Sequence, residues 1–400
     1  MQPKYILIIL TLIITVRVHF GKIKKAGSIA CYLKELLGFL PRKQGASPSS
    51  DRIKSFDYLR ALAVLSVIGT HVVQSGNPFA EYSAPWLAQR FLAILFLNCN
   101  VLFIMLSGAL LLSRKEEPIA LFYRKRVFRV VIPMAVYYLF YLYTGLYQSG
   151  LMDPANLLDA ARRFLTGPSD WNPHFWLIYI VIALYLTTPF FKVMVQNMSD
   201  RLLLSFVFLT VLMNGALSWF PLFGVGFNFS TILCGWESVF IFGYFWTRPC
   251  SIRFRKPCFL LGTAAFVMTF AISCTAPNSV EAFFNRAPTM LFMSGAIFSW
   301  FISREERLKT PGPLIQIIGK YGFSILLIHW YVLHQVVEAQ LGLTLADYGF
   351  AAGTLLAALA TLVLSWLFAV VFDNTAVLVA ETICDRVLWG IEMIINGRKK

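Results

Sequence analysis

Arg60 and His71 stand eleven positions apart inside one apolar run, 56–75. Eleven steps of about 100° return to within about 20° of the starting direction, so on a helix both side chains share a face. At 1.5 Å per residue they are separated by about 16 Å along the axis. An imidazole that titrates near neutrality can take the proton of a weakly nucleophilic hydroxyl. A guanidinium can orient that cavity, bind phosphate or stabilise a developing oxyanion, and the spacing leaves the three roles open. The plain alternative is an arginine snorkelling to headgroups and a packing histidine.

The other candidates are sparse. His174 heads the run 174–191 beside Trp171 and Trp176, and reads either as a cavity residue or as part of an interfacial aromatic belt. His329 falls near the middle of the run 321–340, with His334 and Glu338 beyond it. His334 and Glu338, four apart, can form a local pair. Glu237 lies in the middle of the run 227–246, as a buried hydrogen-bonded carboxylate or a cavity residue. His174, Trp176, Glu237, His329 and His334 are thus acceptor or cavity candidates, with His71, His174 and His334 expected to converge. A second constellation is Arg126 and Arg129 in the segment 113–129. Three residues apart, they point the same way on a helix, and paired guanidinium forks suit phosphates. Ordinary loop charge facing anionic lipid is the simpler reading.

The elements that must position these residues are membrane helices. The 400 residues are 58% hydrophobic and 14% charged, with 36 Phe, whereas a soluble domain carries about 25% charged residues. That excludes a soluble enzyme, a disordered chain and a secreted disulfide scaffold. About ten apolar segments approach the roughly 20 residues a span needs: 56–75, 91–112, 130–147, 174–191, 202–220, 227–246, 258–276, 288–302, 321–340 and 350–372. The expected fold class is an all-α, polytopic membrane protein. A basic N-terminal extension, 1–55, holds a short apolar segment near Tyr5–Ile14, and an amphipathic tail occupies 373–400.

Sixteen Lys and Arg fall in the loops after even-numbered spans and four in the others. Cytoplasmic loops keep the positive charge, so both flanks of the core are expected in the cytoplasm. The net charge of +15 is mostly a topological label, which argues against nucleic acid as a partner. The seven cysteines form no CxxC pair, so zinc has no support and no metal is expected.

Several runs resemble the acyltransferase 3 family of membrane-bound acyltransferases. They are Phe56-Asp57-Tyr58-Leu59-Arg60-Ala61-Leu62-Ala63 with His71 at R-x10-H spacing, and Phe103-Ile104-Met105-Leu106-Ser107-Gly108. Arg126-x-x-Arg129 with Pro133 follows, then His174-Phe175-Trp176-Leu177 with Tyr185 and Pro189. The last is Tyr321-Gly322-Phe323-Ser324 with His329, where Leu326 replaces the usual aromatic residue. The likeness covers about 56–372 and looks closest to the enterobacterial common antigen O-acetyltransferase branch. It implies a multi-pass enzyme of the bacterial cytoplasmic membrane that moves an acyl group, acetyl above all, from cytoplasmic acyl-CoA to a sugar hydroxyl of an envelope glycan or lipid-linked sugar. His71 and Arg60 would then be catalytic, and Arg126 and Arg129 would hold acyl-CoA, a co-substrate rather than a bound cofactor. The rival readings are a transporter or flippase for a lipid-linked glycan, an export scaffold, and a succinyl transferase.

Overall fold

The computed structural model describes residues 3–39, 53–115, 117–151, 153–226 and 231–397. Among them every regular element is helical. The chain begins with α1 (Pro3–Ala26) and α2 (Ile29–Leu37) and enters the core at α3 (Lys54–Gln74). Then come α4 (Ala84–Phe96), α5 (Cys99–Leu112), α6 (Ile119–Arg126), α7 (Ile132–Gln148) and α8 (Pro154–Arg163). They are followed by α9 (Trp176–Gln196), α10 (Asp200–Trp219), α11 (Trp236–Phe245), α12 (Arg255–Thr275) and α13 (Pro288–Ile302). The last three are α14 (Pro313–Tyr331), α15 (Leu345–Phe372) and α16 (Leu378–Gly397).

Seven helical stretches are long and apolar enough to cross a membrane: Lys54–Gln74, Ala84–Leu112, Ile119–Gln148, Pro173–Gln196, Asp200–Phe223, Pro249–Thr275 and Leu345–Gly390. The protein is a multi-pass membrane protein. Three of the ten expected spans fall outside that set. Pro288–Ile302 is apolar but shorter. The expected span 227–246 is helical only from Trp236, and 227–230 lie outside the described residues. α14 is long enough, but Lys320, His329 and its other polar residues dilute its apolar content. The segment expected as a tail is helical and follows α15 without a break. α15 runs through a π-helical segment, Asp373–Val377, directly into α16. Similarly, 113–129 is more than a loop, since α6 and a π-helical segment, Val127–Val131, lead straight into α7.

α3 is the shared wall of two cores. Its Phe56, Leu59 and Ala63 pack into one formed mainly by α5, α10, α11, α12 and α13. Its Ala61, Val64, Ile68 and Val72 face a second core built on α7, α14 and α15. A remote carboxylate caps its start: Glu305 accepts from the backbone N–H of Lys54 and of Ser55, each at 2.7 Å. This satisfies donors that a helix N-terminus otherwise leaves open.

The first core depends on close backbone approach. A Cβ on Gly108 would lie 1.7 Å from the Phe240 carbonyl oxygen, and one on Gly243 would lie 1.9 Å from that of Met105. Glycines on facing helices let α5 and α11 touch backbone to backbone, as is common where lipid offers no hydrophobic drive for association. The break between α4 and α5 is satisfied internally. Asn98 Nδ2 donates to the Ile94 and Leu95 carbonyls, and Ser294 Oγ donates to Asn98 Oδ1 at 2.7 Å.

The N-terminal helices are fastened to the second core. The last carbonyls of α2 receive Lys320 Nζ on Glu35 and Leu36, the Tyr321 hydroxyl on Leu36 and Trp366 Nε1 on Leu37 at 3.3 Å. His19 of α1 bonds Tyr32 and donates from Nε2 to the Asn374 carbonyl at 2.8 Å.

Candidate active site

α3 is helical without interruption from Lys54 to Gln74, so Arg60 and His71 stand about 16 Å apart along one helix. At the His71 end, α3 meets α14. The His71 ring lies 5.2 Å from that of His329 and 5.0 Å from that of Trp330. His329 lies 5.0 Å from His174, which stacks on Trp330 at 5.9 Å with planes 18° apart. His334 meets the Trp330 ring at 4.3 Å. Three imidazoles therefore surround one indole, and the fourth, His329, contacts two of them. Sequence reasoning singled out all four histidines but not Trp330.

A π-helical segment brings His334 into this group. Residues 329 and 334 would diverge by about 140° at 100° per residue. Val332–Glu338 is π-helical, and its wider i→i+5 turn reduces that divergence.

Hydrogen bonding places the ring protons. His174 Nε2 donates to the Leu327 carbonyl at 3.1 Å and His329 Nδ1 to the Leu326 carbonyl at 2.8 Å. His334 Nδ1 bonds Glu338 Oε2 at 2.7 Å. These partners only accept, so the three nitrogens carry the hydrogens. The opposite nitrogens, His174 Nδ1, His329 Nε2 and His334 Nε2, are buried without a hydrogen-bond partner. In a neutral ring each is a bare lone pair, and a buried acceptor with no donor is costly. A hydroxyl-bearing ligand would relieve that cost. Beside His334 and Trp330 lies a pocket of about 130 Å³, also lined by Tyr141 and Trp171.

At the other end of α3, Arg60 Nη1 donates to Asp57 Oδ1 at 3.2 Å. The Arg126 guanidinium lies 4.2 Å above the Phe122 ring and 5.8 Å from that of Tyr185. The Tyr185 hydroxyl sits beside Ser107, in the combined field of Arg126, Arg60 and Arg114. Motif residues from α3, α5, α6 and α9 thus meet at this basic end. Arg126 and Arg129 do not point the same way, in contrast to expectation. Arg126 is buried while Arg129, inside the π-helical Val127–Val131, is exposed. The changed turn rotates them apart, although the two charges still repel one another. Glu117, in the loop before α6, pairs with Lys125 and lies 3.9 Å from Arg126. Burial pushes its carboxyl up, but the Lys125 hydrogen bond and the surrounding positive charge outweigh this and hold it below the usual range.

Two candidates make their contacts elsewhere. Trp176 packs against Trp236 at 5.7 Å. Glu237 sits in the first turn of α11 rather than at mid-span, where a carboxylate complements the helix dipole. One polar group escaped sequence reasoning. Asp373 accepts from the Tyr137 hydroxyl at 3.0 Å and from Ser324 Oγ at 2.6 Å. Among the described residues no group of three or more His, Cys, Asp or Glu side chains is arranged to hold a metal.

A family model described as an acyltransferase domain matches residues 53–370, a stretch that takes in the four clustered histidines and both arginine groups. No significant match was found among curated proteins or among solved structures. With most of its 400 residues covered by that model, and motif residues gathered at both ends of α3, this chain belongs to the acyltransferase 3 family of membrane acyltransferases.

Proposed function

We propose that this protein is an O-acetyltransferase of the bacterial cytoplasmic membrane, with acetyl-CoA as donor and a sugar hydroxyl of an envelope glycan or lipid-linked sugar as acceptor. The carrying observation is the contact of His71 with His329, in a cluster where His174, His329 and His334 each bury one ring nitrogen without a partner, on the same helix as Arg60. His71 makes no hydrogen bond to another described residue, so both of its ring nitrogens are available. It is assigned as the base. Its lone pair takes the hydroxyl proton as the sugar oxygen attacks the thioester carbonyl. The carbon–sulfur bond breaks, and the departing thiolate takes up a proton, leaving ester and free CoA. His174 and His329 offer lone pairs to the neighbouring hydroxyls of the same sugar.

Arg126 and Arg129 are assigned to the donor phosphates, with Arg60 between that end and the histidines. The separation of about 16 Å along α3 is one that the flexible pantetheine arm of acyl-CoA is suited to bridge. The motif pattern favours the branch that acetylates enterobacterial common antigen, and hence acetyl over succinyl. The test compares ester-linked acyl groups on envelope glycan from cells lacking the protein, complemented with wild type or His71→Ala at matched expression. Esters restored only by wild type support the proposal, and their mass names the acyl group. Equal acylation in all strains with altered glycan export points to a transporter instead.

A further inference from the structure

The pocket beside the histidines has a composition that the transfer chemistry alone does not require. Besides His334 and Trp330 it is lined by Trp171, Gln148, Asp170 and Gln335, and no Lys or Arg contributes to its wall. Trp171 is fixed from behind. It packs on Leu142 and Leu146 of α7, and a Cβ on Gly145 would lie 2.3 Å from its indole. The turn that presents it is pinned by buried Asn172, whose Oδ1 accepts from the backbone N–H of Ser169 at 2.6 Å and from its hydroxyl at 2.8 Å. The aromatic wall is therefore set before any ligand arrives.

We infer that this pocket is the acceptor subsite and that it takes an uncharged pyranose ring, stacked on Trp171, with its hydroxyls read by Gln148, Asp170 and Gln335. The inference rests on the acetyltransferase reading above and specifies where its acceptor sits. An indole face matches the apolar C–H face of a sugar. Amide and carboxylate groups provide both donors and acceptors for hydroxyls, whereas an anionic sugar or lipid phosphate would call for a guanidinium or ammonium. A ring held here lies beside His334 and Trp330, and the Trp330 ring is 5.0 Å from that of His71.

The experiment uses the full chain in lipid nanodiscs with radiolabelled acetyl-CoA. The acceptor is envelope glycan from cells lacking the protein, freed of existing esters by mild base. Trp171→Ala should raise the acceptor KM about tenfold with a smaller fall in kcat, the signature of lost ground-state binding. Trp171→Phe, which keeps an aromatic face, should recover most of that loss. Should Trp171→Ala aggregate, Gln335→Ala on the exposed wall carries the same test, with a rise of about fivefold for a lost hydrogen bond. Wild-type transfer with acceptor KM values within about twofold of normal in both variants overturns the subsite alone. Wild-type protein that transfers nothing to the glycan overturns the acetyltransferase reading and the subsite with it.

Discussion

The two cores that share α3 solve the same problem, burying polypeptide in lipid, by opposite means. In the first, α5 and α11 press glycine against backbone at Gly108 and Gly243, and its helices α10, α11, α12 and α13 are free of π turns among the described residues. In the second occur the three π-helical segments found among the described residues, and each holds an ionisable residue: Arg129, His334 with Glu338, and Asp373. A π turn gives up regular hydrogen bonding to re-aim a side chain, and such turns concentrate at functional sites. The first core is a scaffold whose regularity allows the second to be irregular.

The largest effect that would sharpen this division is Gly108→Val. A branched side chain cannot coexist with the Phe240 carbonyl, so the variant should fail to yield monodisperse protein on size-exclusion chromatography. Normal yield and Tm would show that the backbone contact is not needed. Next comes His71→Ala, expected to cut turnover about 10²–10⁴-fold, the usual contribution of a general base, with Tm little changed. Its counterpart in the first core, Ser294→Ala, deletes the donor to Asn98 and should cost about 1 kcal/mol of stability without altering kcat. A kcat loss in Ser294→Ala comparable to that in His71→Ala would break the division outright.

Asp373→Ala strands the Tyr137 and Ser324 hydroxyls and should destabilise the second core by about 2–6 kcal/mol, at about 1–3 kcal/mol for each orphaned group. Thermal unfolding in detergent measures it, and Asp373→Asn, which keeps one acceptor, should fall between. The smallest effect concerns Glu305. Burial raises its carboxyl, but hydrogen bonds from Ser55 and Lys54 and the Lys54 charge outweigh this and hold it below the ordinary value. A depressed folded value means stability that is present above the unfolded carboxylate pKa of about 4.3 and lost as pH falls through the folded one. The Tm of wild type should therefore drop on acidification below about pH 4, and Glu305→Gln should flatten that drop.

The Arg60–His71 relation was legible because it needs only an unbroken helix, and α3 supplies one. The histidines were legible because a titratable residue in an apolar run stands out by type. What sequence could not supply was phase. Hydrophobic periodicity at 3.6 residues per turn does not register a local π turn, so Arg126 and Arg129 were expected to point together and His334 was given no structural reason to approach His329. Asp373 was missed because the apolar run ends at Phe372, one residue short. Glu237 was misplaced because an apolar stretch reads the same whether or not all of it is helical, and α11 begins only at Trp236. Trp330 is at the centre of the cluster through contacts between α3, α14 and the turn that leads into α9, which no local pattern encodes.

The clasp between α2 and the second core also sets an order of events. The donors that close the last turn of α2 lie 284 to 329 residues further along the chain. The Gly38 N–H closes on the Glu35 carbonyl locally at 3.2 Å, but the Leu36 and Leu37 carbonyls must wait for their donors until α14 and most of α15 have left the ribosome. Such distant pairings form late and slowly. The N-terminal helices thus lock fully only onto a chain complete through Asn374, whose carbonyl accepts from His19, so a chain truncated before that point would carry an incompletely fastened N-terminus and could be told apart from the finished protein.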